Sequence, residues 1–164
     1  CEFNEGLFKK IFFFLIFYIS HLFKNVLLYV IIMNIKTSQY LVDEAKKKIS
    51  TIQAKEVREL VEKGEAHLID IRDIRELWKE GTIKSSQHIP RGMLEFWLDP
   101  ESSYYKEKKI EKIKKLILFC ALGLRSALAT KSLVDMGFEN VSHVDGGFDS
   151  LKKEGLEVIP KKKK

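Results

Sequence analysis

Cys120 stands where an apolar run stops and a short turn begins. Leu116-Ile117-Leu118-Phe119 leads into Cys120-Ala121-Leu122-Gly123-Leu124-Arg125-Ser126, which passes directly into Ala127-Leu128-Ala129-Thr130-Lys131-Ser132-Leu133. The pattern predicts strand, loop, helix. A thiol at that junction lies off the positive end of the helix, among the amides of a tight turn and close to Arg125, and all three favour the nucleophilic thiolate. Two readings stand side by side. Unpaired cysteine is among the most buried residue types, so Cys120 can be a structural cap on a core strand. Gly123, Arg125 and the immediate helix start favour the nucleophile.

The elements that position this loop read as an alternation of strands and helices. Tyr40, Leu41, Ala45 and Ile49 have loose helical spacing, which predicts an amphipathic helix over 38–48 within a lead-in segment, 33–50. Val57, Leu60 and Val61 give a short helix ending near Gly64, and His67 to Ile71 a buried strand. Ile74, Leu77 and Trp78 form one face of a helix before Gly81, and Met93 to Trp97 a further helix stopped at Asp99-Pro100. Glu101 to Lys109 reads as a polar loop ahead of a helix-like stretch at Ile110–Ile113. A strand at 116–119, a helix from Ser126 to Met136 ended by Gly137, and a strand at Val141–Val144 complete the series. The expected fold is α/β, a central parallel sheet flanked by helices on both faces, over a domain of residues 51–160 with a basic tail at 161–164. Loops that carry chemistry in such sheets lie at the carboxyl ends of the strands, where Cys120 falls.

Composition narrows the function classes. The chain has 164 residues, enough for one domain with a proper core, and two cysteines, Cys1 and Cys120. A disulfide framework and a zinc site are not expected, because paired Cys or His ligands at short spacing are missing. His67, His88 and His143 fall singly and read as packed or surface histidines. The net charge of +6 and the Lys161-Lys162-Lys163-Lys164 tail read as a solvated lysine-rich surface, with no nucleic-acid module accompanying them. No cofactor is expected and no oligomeric state is legible.

The first 32 residues are strongly apolar. Ile11 to Ser20 and Val26 to Ile32 are two apolar runs separated by His21, Lys24 and Asn25. Neither run spans a bilayer alone, and joining them puts Lys24 and Asn25 in the hydrocarbon. No signal-peptide cleavage site follows. Residues 1–32 therefore read as an anchor, an interfacial hairpin, or sequence upstream of a start at Met33. The expected location is cytoplasmic, with membrane attachment through residues 7–32 as the alternative.

Cys120-Ala121-Leu122-Gly123-Leu124-Arg125-Ser126 resembles the active-site loop of the rhodanese family of sulfurtransferases. Other landmarks follow in the family's order: Asp70-Ile71-Arg72, Gly81-Thr82-Ile83, Ile89-Pro90, Gly137-Phe138-Glu139-Asn140-Val141 and Gly146-Gly147. The resemblance covers the chain from near Thr51 to near Val158 and implies a rhodanese-like fold. It also implies sulfane-sulfur transfer through a Cys120 persulfide, cradled by the loop of Ala121, Leu122, Gly123, Leu124, Arg125 and Ser126. The partners it implies are a small sulfur donor (thiosulfate, persulfide or polysulfide) and a thiol or cyanide acceptor, or a protein sulfur carrier.

Within that resemblance Arg125 has two roles open to it: meeting an anionic donor, or folding back on a carboxylate to hold the loop. Ser126 is expected to cap the helix amides or hydrogen-bond the sulfur. Asp70 and Arg72 are expected to be architectural, Phe96 and Trp97 to pack in the core. Ala121, Leu122 and Leu124 make the mouth less basic than in thiosulfate users, which favours a persulfide or polysulfide donor or a protein partner. Thr82 and Leu151 replace a family histidine and tryptophan as packing changes. Two further classes compete: a cysteine-loop phosphatase or arsenate reductase, whose loops hold more residues between cysteine and arginine, and a catalytically quiet rhodanese-like binding module.

Overall fold

The structure, a computed structural model, describes residues 5–105 and 115–163. The chain divides into two units, Cys1–Thr37 and Ser38–Lys164. Among its described residues the first holds one helix, α1 (Glu5–Asn34). This corrects the hairpin expectation. The polar break at 21–25 contains neither Gly nor Pro, and Asn25 hydrogen-bonds His21 one turn back at 3.0 Å, so the helix runs through it. Among the described residues, no helix is long and apolar enough to cross a membrane.

The second unit is built on a five-stranded sheet. Its strands are β1 (Ser50–Ile52), β2 (Ala66–Asp70), β4 (Gln87–His88), β5 (Lys115–Phe119) and β6 (Val141–Val144), in the spatial order β1-β6-β5-β2-β4. Every pairing in it is parallel, with Asp70 beside Phe119 and Leu118 beside His143. A second, antiparallel pair joins β3 (Thr82–Ile83) to β7 (Val158–Ile159). The chain is an α/β fold with helices on both faces of the central sheet, as its hydrophobic pattern implies. β5 lies in the middle of the sheet and is covered on both sides, which is why it reads as an unbroken apolar run.

Alternate residues of each strand feed two cores. On one face Ile52, Leu68, Ile117, Phe119 and Val144 pack with Val57 of α3 (Ala54–Glu62) and with Phe148 and Leu151 of α7 (Gly147–Lys153). On the other, Ile69, Leu116, Leu118, Cys120 and Val141 pack with Leu94 and Leu98 of α5 (Leu94–Leu98) and with Ala129 and Leu133 of α6 (Leu124–Asp135). Helix α2 (Ser38–Lys46) buries Val42 and Ala45. Helix α4 (Ile74–Glu80) opens with a capping box: the Asp73 side chain accepts from the Arg75 amide, and Glu76 accepts from the Asp73 amide.

Several boundaries and elements differ from the sequence expectation. The strand expected at 67–71 is shifted by one residue, and a 3-10 turn (Arg91–Met93) precedes α5. Strand β1, the two-residue strands and α7 were not anticipated, because such short segments show no usable periodicity. Phe96 is not a core residue: it is 51% exposed and meets Tyr104 edge to face at 6.3 Å, while Trp97 packs on the core as expected. The helix expected at Ile110–Ile113 and the end of the loop before it, 106–109, lie outside the described residues.

Candidate active site

The chain leaves β5 at Phe119 and enters α6 at Leu124, so Cys120, Ala121, Leu122 and Gly123 form the whole connection. This loop sits at the carboxyl edge of the sheet, between β2 and β6, where the strand order reverses direction. Cys120 is 1% exposed and uncrosslinked, while Leu122 and Leu124 are 61% and 43% exposed at the rim. Gly123 takes the left-handed conformation (φ 90°) as the residue before α6, and a Cβ there would fall 3.1 Å from the Val144 carbonyl oxygen. Glycine is required on both counts.

Three carbonyls of the loop are turned inward and held. The Phe148 amide donates to the Cys120 carbonyl at 2.7 Å and the Asp149 amide to the Ala121 carbonyl at 3.3 Å. The Gly123 carbonyl accepts from the Ala127 amide and the Ser126 hydroxyl, both at 3.1 Å. In a planar trans peptide the carbonyl and the next N–H point opposite ways. Fixing the carbonyls of Cys120, Ala121 and Gly123 therefore turns the amides of Ala121, Leu122 and Leu124 to the other side. The first-turn amides of α6 add to that row, since a helix start offers them no carbonyl one turn back.

Gly147 makes the inward contacts possible. It has φ 58°, and a Cβ would press on the Cys120 carbonyl oxygen and fall 2.7 Å from that of Ala121 and 2.8 Å from the Gly123 nitrogen. The sequence pointed to Gly146-Gly147 as a landmark without assigning it to the loop.

Arg125 is committed to a carboxylate. Its guanidinium forks onto Glu76 of α4, with Nη1 2.7 Å from Oε2 and Nη2 2.8 Å from Oε1. The Glu76 carboxylate, with a smaller contribution from the Cys120 sulfur, raises the Arg125 pKa further above its ordinary value, and the pairing lowers that of Glu76. Arg125 is 43% and Glu76 29% exposed, so solvent screening limits even this two-pronged pair to about 1 kcal/mol. Glu76 was missed in the sequence reading. Its signal was the Asp73-x-x-Glu76 capping box, which says that Glu76 lies in the first turn of α4 but not what it faces.

Ser126 is not the helix cap. α6 begins two residues earlier, because Gly123 supplies the turn, and the buried Ser126 hydroxyl folds back on the Gly123 carbonyl. Asp70 and Arg72 stand one strand away as a fully buried pair. Asp70 accepts from the Arg72 amide, Nε and Nη2 and from the Thr82 hydroxyl. Arg72 also reaches the Gly81 carbonyl and Glu80, with its guanidinium carbon 3.8 Å from the centre of the Phe148 ring. The pair thus joins the end of β2 to α7, the helix whose amides hold the Cys120 loop. Among the described residues, no group of three or more His, Cys, Asp or Glu side chains is placed to hold a metal ion.

The sequence pattern of the rhodanese-like domain matches residues 53–154. The chain belongs to the rhodanese-like family. Its relatives differ in what they are named for. A tRNA uridine(34) hydroxylase from Hamiltonella defensa is 32% identical over 96 residues, 58% of this chain and 26% of that protein. Mouse thiosulfate sulfurtransferase/rhodanese-like domain-containing protein 3 is 30% identical over 98 residues, 57% of this chain and 62% of the relative. The chain thus spans about a quarter of the first and three-fifths of the second. Among solved structures, a Rhodopseudomonas palustris protein of unknown function, described as a possible tyrosine phosphatase, is 40% identical with a TM-score of 0.71. That match covers 76% of this chain and 95% of the other.

Proposed function

We propose that the protein is a sulfurtransferase that carries sulfane sulfur on Cys120. The observation that carries this reading is the backbone of the Cys120 loop, with three carbonyls bound from behind and the intervening amides turned to the opposite side. Such an array stabilises a thiolate or a terminal persulfide anion without a bound cation. The Cys120 thiolate attacks the outer sulfur of a donor R–S–S⁻ or of thiosulfate. The donor's S–S bond breaks, and the thiolate RS⁻ or sulfite leaves with the electron pair. Cys120 then bears S–S⁻, whose outer sulfur passes to an acceptor thiolate or to cyanide as Cys120 leaves. Cys1 is the other cysteine of the sequence and lies in the first unit, so the domain holds no second thiol to discharge the persulfide as a disulfide.

Charge supports a persulfide over thiosulfate as donor. The rim residues of the loop are Leu122 and Leu124, and Arg125 is neutralised by Glu76. The same features weigh against phosphate monoester hydrolysis, the reading that the Rhodopseudomonas palustris likeness brings to mind. Only four residues separate Cys120 from Arg125, and the guanidinium that would grip a phosphate is already forked onto a carboxylate.

Intact-mass spectrometry of the full chain, with and without a small alkyl persulfide or thiosulfate, tests the reading against a Cys120→Ser control. The expected result is a gain of about 32 Da, one sulfur, that requires Cys120 and is removed by cyanide. No gain with either donor on folded protein sinks it, and turnover of an aryl phosphate in its place establishes the phosphatase.

A further inference from the structure

Behind the Cys120 loop lies a buried histidine that the sulfur chemistry has not used. His143 of β6 is fully buried on the α6 side of the sheet. Its Nε2 is 3.0 Å from the Thr51 hydroxyl of β1, and its Nδ1 is 3.5 Å from the Ser126 hydroxyl, which itself donates to the Gly123 carbonyl. Burial, and next to it the charge of Lys46, push its pKa down to about 4, with Asp145 and the carbonyls of Gly123 and Val144 acting the other way. The imidazole is therefore neutral at pH 7, with one donor and one acceptor nitrogen. The network assigns the proton to Nδ1, facing the Ser126 hydroxyl, and leaves Nε2 to accept from Thr51.

We propose that His143 is a positioning residue for the cysteine loop: its Nδ1 holds the Ser126 hydroxyl, which pins the Gly123 carbonyl inward and so aims the Leu124 amide at the sulfur on Cys120. The inference rests on the sulfurtransferase reading. Its logic is that of the peptide plane, since the Leu124 N–H points wherever the Gly123 carbonyl does not. Two of the three inward carbonyls are held by the amides of α7. The third depends on the first turn of α6 and on this side-chain relay across β6 to β1. Thr51 completes it by holding the ring from the far nitrogen, so that Nδ1 cannot swing away.

The relay makes a sharp distinction between two amide replacements. In His143→Asn the side-chain nitrogen takes the place of Nδ1 and keeps the contact to Ser126. In His143→Gln it reaches the place of Nε2 and keeps only the contact to Thr51. Sulfur transfer from a small alkyl persulfide to cyanide, read as thiocyanate, is measured in the full chain for these variants and for His143→Leu. The expected result is a kcat near wild type for Asn, and a kcat lowered on the order of ten- to a hundredfold for Gln and Leu with KM little changed, as for a donor misplaced by a fraction of an ångström. A purely structural histidine gives losses that follow thermal stability and do not separate Asn from Gln. Equal kcat for Asn and Gln overturns the proposal, and should Leu fail to fold, that pair still decides. The Leu124 amide resonance in a nitrogen–proton correlation spectrum provides a readout without activity, expected to move in Gln and stay in Asn. If the wild-type chain transfers no sulfur, the functional reading falls, and the amide resonance alone decides whether the tether exists.

Discussion

Replacing Gly147 by alanine isolates the contact on which the cysteine loop depends. Gly147 and Gly64 share a left-handed backbone, at φ 58° and 71°, but a Cβ on Gly64 meets nothing within 4 Å. Alanine in that conformation costs roughly 1–2 kcal/mol, partly offset by about 0.4–1 kcal/mol from a stiffer unfolded chain. Gly64→Ala should therefore destabilise by no more than about 1.6 kcal/mol and leave sulfur loading untouched. At Gly147 the added carbon meets the Cys120 and Ala121 carbonyl oxygens and the Gly123 nitrogen, all of them backbone atoms with no rotamer to escape into. Either the loop or the start of α7 must shift, which adds roughly 1–3 kcal/mol of overpacking. The hydrogen bonds from Phe148 and Asp149 to the loop carbonyls are stretched in the same movement. Gly147→Ala is expected to lose about 1–5 kcal/mol in urea unfolding, and more than Gly64→Ala by the overpacking, and its Cys120 loading rate by intact mass should fall at least about tenfold. A Gly147→Ala chain that loads sulfur within twofold of wild type refutes the claim that this contact shapes the loop, and so does an equal loss in Gly64→Ala.

Two further outcomes follow from the buried ionic and titrating groups. Asp70→Asn leaves the Arg72 guanidinium buried, with the partly exposed Glu80 as its remaining carboxylate, and should cost about 3–5 kcal/mol in chemical denaturation; a loss under about 1 kcal/mol would show that the pair is not what ties β2 to α7. His143 titrates near 6.5 in an unfolded chain and about 4 in the folded one, so between those values the unfolded state binds more protons. Stability is expected to fall as pH drops through that window, by at most about 3 kcal/mol. Below it, the lowered carboxylates of Asp73, Glu76 and Asp145 continue the loss as they protonate. Urea midpoints from pH 7 to 4.5 check this: His143→Asn should flatten the upper part of the curve, and an unchanged slope would show that His143 is not its source.

The strand-to-loop-to-helix course around Cys120 was legible in the sequence because it is local. An apolar run covered on both faces, a glycine with no Cβ and a helical pattern each act within a few residues, and together they locate the thiol at a strand end and a helix start. The same holds for β2, α4 and β6, each read to within about a residue. The very short elements were not legible. A two-residue strand has no periodicity, and α7 is a single-sided stretch of seven residues whose start is fixed by a glycine pair.

What tertiary structure alone decided is which distant groups meet the loop. The Arg125 guanidinium forks onto Glu76, 49 positions earlier, a partner that no local pattern in the sequence names. Ser126 looked like a cap until Gly123 proved to supply the turn. His143 looked like simple packing until the sheet order put it between Thr51 and Ser126. Sheet order sets all of these. Parallel strands are joined through helices, so neighbours in the sheet are far apart in the chain. The contacts that aim a backbone amide or neutralise a guanidinium come into being only when β5 is laid between β2 and β6.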